Sequence, residues 1–208
     1  MSEDILRPHL KQVAVYDAGT LRLAGARVTL RRPEPGDAPR VAALMNDFDV
    51  VKNLSRAPWP YRHEDAVAWL SHIARPTPAR SDYPFAVVTG EGMIGTVGIS
   101  TNPQNPDGVE LGYWFGRPYW GQGYATEAAR LALEFAFTEL DLQGIEAGHF
   151  ADNAASGRVL QKLGFAYTED APRFSRARAC EVACRMMTLP RARFAGVRAN
   201  QEGTRHGG

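Results

Sequence analysis

The order of strand and helix patterns predicts an α/β (α+β) fold with a mixed, mostly antiparallel central sheet of about six to seven strands, flanked by helices on both faces. Three strand-like segments, at 85–88, 93–100 and Val109–Phe115, follow one another with short links, and short links imply antiparallel pairing. Beyond them helical and strand patterns alternate. Such alternation implies crossover connections, and therefore a parallel pair within the sheet.

The first part of the domain contributes one strand and two helices. A strand at 27–32 ends at Pro33, and apolar residues at helical spacing predict a helix over Ala38–Met45. Residues 47–60 end in Ala-Pro-Trp-Pro and are predicted to form a loop, because proline disfavours helix at and before its own position. A second helix is predicted over His63–Ala74.

The second part carries the clearest helix of the chain, at 121–140, where polar and apolar residues occupy opposite faces. A shorter helix follows the long one in sequence, and Gly164 ends it. The remaining elements are a strand at 145–150, the shorter helix at 153–163, and strands at 165–167 and 181–189.

These elements define one domain over 26–190, with an N-terminal arm at 1–25 that is expected to pack on it. The residues from 191 to 208 are rich in arginine and glycine and have few apolar anchors. They are therefore predicted to form a disordered C-terminal tail.

The composition, with 44% hydrophobic and 23% charged residues, is that of a protein with a real core. A net charge of +1 argues against nucleic-acid binding through bulk charge. No apolar run approaches the ~20 residues of a membrane helix, and the first residues lack the apolar core of a signal peptide. The two cysteines, Cys180 and Cys184, are too few for a disulfide framework, so a cytoplasmic protein is expected. Both are predicted to be small core residues. The protein is expected to be a monomer or a homodimer. The scattered histidines make a metal site improbable.

The tripeptide Gly121-Gln122-Gly123 opens the long helix after a strand and a short loop. Glycines let backbone N–H groups approach a ligand closely, and the helix N-terminus adds the positive end of its dipole. No acidic side chain lies between Gly121 and Thr126, which favours an anion such as a diphosphate. A plain tight turn at the start of a helix is the alternative.

Two nucleotide-binding folds compete for these glycines. A dinucleotide fingerprint needs a third glycine where Thr126 stands, and it needs more strand–helix units than the rest of the chain can supply. A Walker loop needs a lysine and a serine or threonine after the glycines, and these are missing. A nucleotide-binding oxidoreductase is therefore disfavoured.

Two motifs stand in order along the chain, ELGYWFGRPYWGQGYATEAARLALEFAF and DNAASGRVLQKLGF. Together they closely resemble the GNAT superfamily of acetyl-CoA-dependent N-acetyltransferases, in particular the branch with the ribosomal-protein N-terminal (RimJ/RimL-type) acetyltransferases. The resemblance runs from about Arg27 to Leu189 and includes the opening strand RVTLRRPEPGDA and the hairpin FAVVTGEGMIGTVGIS. It implies the GNAT fold and a transferase that moves an acetyl group from its co-substrate acetyl-CoA to an amine, without a metal.

The resemblance also implies where acetyl-CoA binds. The backbone at Trp114 and Phe115 would hydrogen-bond the pantetheine, and Asn153 would contact the pantetheine or thioester region. The diphosphate would be held by the backbone amides of one continuous turn, formed by Trp120, Gly121, Gln122, Gly123, Tyr124, Ala125 and Thr126.

Two positions depart from the family pattern. Pro118 stands where the superfamily often has glutamine or arginine, and Gln122 and Arg117 are expected to compensate in part. Leu160 stands where many members carry a tyrosine that protonates the thiolate. Because the branch resembled has serine three residues after the asparagine, Ser156 is the candidate to hydrogen-bond the departing sulfur. An ordinary helix serine is the alternative.

Attack by an amine requires loss of a proton from the ammonium form, so a nearby carboxylate is useful. Glu110 is the candidate base, since it shares a strand face with Gly112 and Trp114 and the branch resembled often has glutamate there. A structural ion pair with an arginine is the alternative. A backbone N–H near Phe115 is the candidate oxyanion donor.

The acceptor is expected to be an amine. The resemblance favours the N-terminal α-amine of a protein, while small amines (amino acids, polyamines or aminoglycosides) and a non-catalytic acyl-CoA-binding regulator stay open as alternatives. The aromatic loop with Trp59, Tyr61 and His63 lies where superfamily members form the acceptor cleft, although plain lid packing explains it as easily. His149 is predicted to be a structural histidine.

Overall fold

A single sheet organises the chain. The computed structural model describes residues 10, 13–17, 19–74, 82–102, 105 and 108–197. The strands are β1 (Arg22–Ala24), β2 (Thr29–Arg31), β3 (Asp82–Thr89), β4 (Gly92–Thr101), β5 (Val109–Phe115), β6 (Gly144–Phe150), β7 (Ala166–Tyr167), β8 (Ala171–Ser175) and β9 (Cys180–Pro190). The helices are α1 (Ala14–Asp17), α2 (Ala38–Met45), α3 (Phe48–Val51), α4 (His63–Ala74), α5 (Tyr124–Thr138) and α6 (Ala154–Lys162), with 3₁₀ turns at Pro35–Asp37 and Arg117–Tyr119.

The strand order is β1-β2-β3-β4-β5-β6-β9-β7, and β8 pairs with the first half of β9. Only the β5–β6 pair is parallel among the described strands, so the mixed, mostly antiparallel sheet is confirmed. The sheet has nine strands, more than predicted. The additional ones are the short β1 and β8, and β8 contains Pro172, a residue that argues against a strand when only sequence is considered.

Helices cover both faces of the sheet, as predicted. Alternation along β3 sends Phe85 and Val87 into the core beneath α5, and Ala86 into a second core beneath α2 and α4. The predicted loop at 47–60 includes one turn of helix, α3, because the Asp47 side chain accepts a hydrogen bond from Asp49 N and caps it.

The N-terminal arm belongs to the domain in its described residues. Leu10 and Tyr16 are buried in the core beneath α5, and the Tyr16 hydroxyl donates to the Pro84 carbonyl oxygen at 2.6 Å. The strand β1 then pairs with β2 and becomes the edge of the sheet. The packed domain therefore begins before the predicted boundary at residue 26.

The chain also continues in regular structure beyond the predicted boundary at 190. Residues 191–197 form a helical segment, and Phe194 is 4% exposed, with its ring centroid 5.1 Å from that of Phe137 on α5. The prediction of disorder is therefore wrong for 191–197, because it weighed the arginines and glycines above a single aromatic anchor. Residues 198–208 lie outside the described residues.

Phe194→Ala should lower the free energy of unfolding by about 3–5 kcal/mol, because it leaves a cavity against Phe137. Phe174→Ala is the matched control, since Phe174 is 56% exposed and its loss should cost about 0.5 kcal/mol or less. Urea unfolding followed by circular dichroism measures both variants. Equal losses would contradict the docking of the helical segment.

Candidate active site

An opening separates β5 from β6. Among the described residues, the two strands pair only through Glu110 and Glu146, and beyond this pair each follows a different neighbour. β5 stays paired with β4 as far as Phe115, and β6 stays paired with β9 as far as Phe150. One edge of β5 over 111–115 is therefore left without a strand partner. We call this gap the β5–β6 opening.

The backbone groups of Tyr113 and Phe115 face the β5–β6 opening. A Cβ added at Gly95 on β4 would clash with the Trp114 carbonyl oxygen, so the backbone of Trp114 faces β4. Because the polar groups of successive residues alternate between the two edges of a strand, those of Tyr113 and Phe115 face the other edge. The Trp114 backbone therefore turns away from the opening, contrary to the contact expected there, whereas the backbones of Tyr113 and Phe115 line it.

The Trp120 side chain fixes the end of β5. Its indole N–H donates to the Phe115 carbonyl oxygen at 2.7 Å, which leaves the Phe115 N–H facing the opening as the candidate oxyanion donor. The backbone N–H of Trp120 donates to Arg117 O at 3.2 Å. This amide was expected to bind the diphosphate, but it is already used within the 3₁₀ turn.

Among the described residues, the backbone amides of the glycine turn at 121–126 have no hydrogen-bond acceptor. Gly121 and Gly123 have φ of +73° and +84°, which glycine adopts without strain, and a side chain at Gly121 would meet nothing within 4 Å. The first bond into α5 runs from Glu127 N to Gly123 O, so the amides of the preceding helical residues have no helical acceptor. This open turn at a helix N-terminus fits a diphosphate.

The first turn of α5 contains an acid after all, since the helix starts at Tyr124 and therefore includes Glu127. Its carboxylate accepts from Arg27 N at 2.7 Å, Arg27 Nε at 2.9 Å and Val28 N at 3.3 Å. Burial raises the pKa of Glu127, but these hydrogen bonds outweigh burial and lower the pKa below its ordinary value. Arg27 also donates to Gln122 O at 2.8 Å, so a cation lies against the turn and compensates the acid.

The two side chains expected to compensate for Pro118 have other partners. Gln122 Nε2 donates to Pro118 O at 2.8 Å and stabilises the loop. Arg117 Nε lies 2.8 Å from the Asp47 carboxylate. Arg27, which sequence analysis missed, is instead the cation beside the glycines; its contact is made across 95 residues, and no local pattern indicates it.

The start of α6 forms the other side of the opening. Asn153 caps the helix, and its Oδ1 accepts from Ser156 N at 3.2 Å. The Ser156 hydroxyl oxygen lies 2.8 Å from the Tyr113 hydroxyl oxygen. Leu160 is 1% exposed and belongs to the core. The structure thus brings Asn153 and Ser156 together, and it adds Tyr113, whose side chain had not been predicted at the site.

Glu110 lies beside the opening in a salt bridge. Arg173 Nη1 donates to Glu110 Oε1 at 2.6 Å, and the two side chains are only 13% and 15% exposed. Arg173 Nε is buried and has no hydrogen-bond partner among the described residues. The contact through Nη1 makes Glu110 the direct counter-charge of the guanidinium. Burial lowers the pKa of Arg173, but the contact with Glu110 outweighs it and raises the pKa above its ordinary value. The ion pair considered as the alternative to a base is therefore present.

Two predictions about neighbouring residues have different outcomes. His149 is structural, as predicted: Nδ1 lies 2.9 Å from the Phe150 carbonyl oxygen, and Nε2 lies 3.1 Å from the Tyr167 hydroxyl oxygen. Cys184 is a buried core residue, but Cys180 is exposed. The prediction for Cys180 is wrong because this residue begins β9 directly after the turn that joins β8 to β9, where its side chain is exposed.

Charged and aromatic pairs lie beyond the end of β5. Phe48 and Trp59 are 42% and 44% exposed, with ring centroids 5.4 Å apart, whereas Tyr61 is buried. Arg178 lies in the turn at 176–179 between β8 and β9, and it donates to the Lys52 carbonyl oxygen at 2.8 Å. This contact joins the turn to the end of α3. The salt bridges here, which we call the rim pairs, are Arg117–Asp47 (2.8 Å), Lys52–Asp49 (2.6 Å) and Arg178–Asp152 (2.7 Å).

The opening and the turn offer backbone amides, hydroxyls and ion pairs. Within the described ranges, no group of three or more His, Cys, Asp or Glu side chains is arranged to hold a metal ion. None of the helices in the part of the chain that the structure describes is long and apolar enough to cross a bilayer.

Comparison with known proteins agrees with this geometry. The family model described as acetyltransferase (GNAT) domain matches residues 27–166. The chain is 30% identical to the uncharacterized N-acetyltransferase p20 of Bacillus licheniformis over 141 residues, which cover 67% of this chain and 79% of that relative. RimJ of Mycobacterium smegmatis, solved with a CoA disulfide, has a TM-score of 0.68 at 20% identity, covering 79% of this chain and 82% of RimJ. RimL, a ribosomal L7/L12 α-N-protein acetyltransferase solved with coenzyme A, has a TM-score of 0.70 at 15% identity, covering 82% of this chain and 98% of RimL.

The parallel pair of strands opens between a glycine turn at a helix N-terminus and two hydroxyls, and this geometry fits a CoA-dependent acyltransferase. More specifically, the chain belongs to the GNAT family and is an acetyl-CoA-dependent N-acetyltransferase. The resemblance of the two sequence motifs to the GNAT superfamily is thereby confirmed.

Gly121→Asp should weaken acetyl-CoA binding about 10- to 100-fold, because it places a negative charge beside the amides of the turn. Gly121→Asn is the matched control: it has the same shape without the charge, and asparagine tolerates a positive φ. Isothermal titration calorimetry measures both affinities. Equal weakening would assign the effect to backbone strain, and unchanged affinity in both would place the diphosphate elsewhere.

Glu110→Gln should lower the free energy of unfolding by about 3–5 kcal/mol, because it leaves the Arg173 charge buried without its counter-charge. Combining it with Arg173→Met should recover most of the loss, since both charges are then gone. The pH–rate profile of Glu110→Gln should keep the wild-type shape. A shift of this profile to higher pH would identify Glu110 as the base.

Proposed function

We propose that the protein transfers the acetyl group of acetyl-CoA to the N-terminal α-amine of a protein, by direct attack of the amine on the thioester. The observation that carries the choice of acceptor is the charge balance of the rim pairs, in which each carboxylate has an arginine or lysine partner. The exposed rings of Phe48 and Trp59 lie next to them.

A charge-balanced rim disfavours polycationic acceptors. Polyamines and aminoglycosides carry several positive charges, and their recognition needs carboxylates without internal partners. Hydrogen bonds from Lys52 and Arg178 lower the pKa of Asp49 and Asp152 respectively, so both carboxylates are charged and compensated near neutral pH. A peptide brings one α-ammonium followed by a neutral backbone, which suits a balanced rim with aromatic surfaces.

Acetyl-CoA would be held by two parts of the site. The backbone amides from Gly121 to Thr126 would bind the diphosphate, and the free edge of β5 at Tyr113 and Phe115 would bind the pantetheine. The Asn153 Oδ1 already caps α6, so its side-chain NH₂ is the group that remains for the pantetheine. The co-substrate supplies the activated acetyl group.

The chain's own groups would assist each step of transfer. A bond forms between the amine nitrogen and the acetyl carbon, the carbon–sulfur bond breaks, and the proton lost by the amine balances the one gained by the thiolate. The Phe115 N–H stabilises the oxyanion, and the Ser156 hydroxyl donates to the departing sulfur. Because a thiol has a pKa of ~8.5, this help is modest. Water is the base in this proposal, since Glu110 is held by Arg173.

The names of two relatives in fold support an acceptor of this kind. RimL is named for acetylating the α-amine of ribosomal L7/L12, and a Vibrio cholerae structure is named as a ribosomal-protein-serine acetyltransferase. Since the identities are 15% and 20%, these likenesses concern the fold. The rim therefore stays the main support.

Release of free thiol from acetyl-CoA, measured with a panel of amines, tests the proposal. Peptides with a free N-terminus should give the highest kcat/KM. The matched control peptides have the same sequences with a blocked N-terminus and a free lysine side chain, and they should react at least about tenfold more slowly.

Two outcomes would contradict this acceptor. A polyamine, an aminoglycoside or a free amino acid with a higher kcat/KM than every peptide would show that the acceptor is a small amine. Tight binding of acetyl-CoA without thiol release for any amine would favour an acyl-CoA-binding regulator.

A further inference from the structure

We infer that Tyr113 is a positioning residue for acetyl transfer: its hydroxyl orients the Ser156 hydroxyl so that the serine proton is directed at the leaving sulfur. The inference rests on the role proposed above for Ser156. It assigns a role to the side chain of Tyr113 on β5. In this site Leu160 stands where many members of the family carry a tyrosine that protonates the thiolate.

The geometry joins the two hydroxyls directly. The Tyr113 hydroxyl oxygen lies 2.8 Å from Ser156 Oγ and 3.2 Å from the Ser156 carbonyl oxygen. Asn153 Oδ1 accepts from Ser156 N at 3.2 Å, so the first turn of α6 is held from two sides. Tyr113 belongs to β5, whose free edge faces the opening, and its ring packs against the core beneath α5. The serine is thus held by a residue of the strand proposed to bind the pantetheine.

The direction of this hydrogen bond decides what the serine can do. When the Tyr113 O–H donates to Ser156 Oγ, the serine proton is free to point elsewhere. When the Tyr113 O–H donates to the Ser156 carbonyl oxygen instead, the serine proton is drawn towards the tyrosine oxygen and cannot reach a ligand. A phenol is a better donor than an alkyl hydroxyl, and the Oγ contact is the shorter one, so the first arrangement is favoured.

Tyr113 keeps its proton throughout the working pH range. Burial raises its pKa to about 12, against a smaller opposing effect of the hydrogen bond with Ser156. Tyr113 is therefore a permanent donor and does not itself protonate the thiolate. The proton that the sulfur finally takes up comes from Ser156 with replacement from solvent, or directly from solvent, and Tyr113 acts through the orientation of Ser156.

A double-mutant cycle in kcat tests the inference. Ser156→Ala should lower kcat about 10- to 100-fold, and Tyr113→Phe should lower it about tenfold at every pH up to about 10. The double variant should be no slower than Ser156→Ala alone, because Tyr113 has nothing to orient once the serine hydroxyl is gone. The dissociation constant of acetyl-CoA, measured by calorimetry, should change less than about threefold in all three variants.

Tyr16→Phe is the matched control. It likewise removes a tyrosine hydroxyl that donates a hydrogen bond, here to the Pro84 carbonyl oxygen, but it lies outside the β5–β6 opening. Its melting temperature should fall about as much as that of Tyr113→Phe, whereas its kcat should stay at the wild-type value. A loss of kcat in Tyr113→Phe but not in Tyr16→Phe would then show that the loss comes from the orientation of Ser156 and not from a lower stability.

Each of the remaining outcomes would refute either the inference about Tyr113 or the proposed role of Ser156. Wild-type kcat in Tyr113→Phe with a slow Ser156→Ala would refute the inference and leave the role of Ser156 intact. Multiplying losses in the double variant would show that Tyr113 acts independently of Ser156, which also refutes it. Wild-type kcat in both single variants would refute the role of Ser156 itself, while the amine panel judges the acceptor separately.

Discussion

The separation of β5 from β6 beyond the Glu110–Glu146 pair is the constraint on which the site depends. A strand in the middle of a sheet normally has both edges paired, and an unpaired edge there leaves backbone groups that need other partners. Here part of that demand is met within the chain, because the Trp120 indole donates to Phe115 O. The groups that remain are those that we propose to bind the amides of the pantetheine chain.

The two sides of the opening differ in their chemistry. At the end of β5 the chain provides glycines, free amides and the nearby Arg27, all of which favour a negative charge. Across the gap, α6 provides a capped helix start and the hydroxyl of Ser156. Farther out, the rim pairs balance their own charges. The proposed function thus assigns anion binding and acceptor binding to distinct surfaces, which meet where β5 and β6 separate.

Features that depend on neighbours in sequence could be predicted. The turn at Gly121 and Gly123 and the spacing of Asn153 and Ser156 each lie within one short segment, and the structure keeps each segment together. The order of elements likewise indicated a mixed sheet with helices on both faces, because link lengths limit how strands can pair.

Features that depend on tertiary neighbours could not. Alternation along β5 shows which side chains share a face, but only the pairing with β4 reveals that Tyr113, rather than Trp114, turns its backbone to the opening. Arg173 pairs with Glu110 across 63 residues, from a strand whose proline argued against it. Phe194 was one aromatic residue among arginines and glycines, and its burial follows from the position of Phe137.

Amide hydrogen exchange of β5, measured by NMR with and without acetyl-CoA, tests most directly whether the free edge of β5 binds the co-substrate. The Trp114 amide faces β4 and should exchange slowly in both states. The amides of Tyr113 and Phe115 should exchange faster in the free protein and should become protected, together with those from Gly121 to Thr126, when acetyl-CoA binds. Unchanged exchange at Tyr113 and Phe115 under saturating acetyl-CoA would contradict the account.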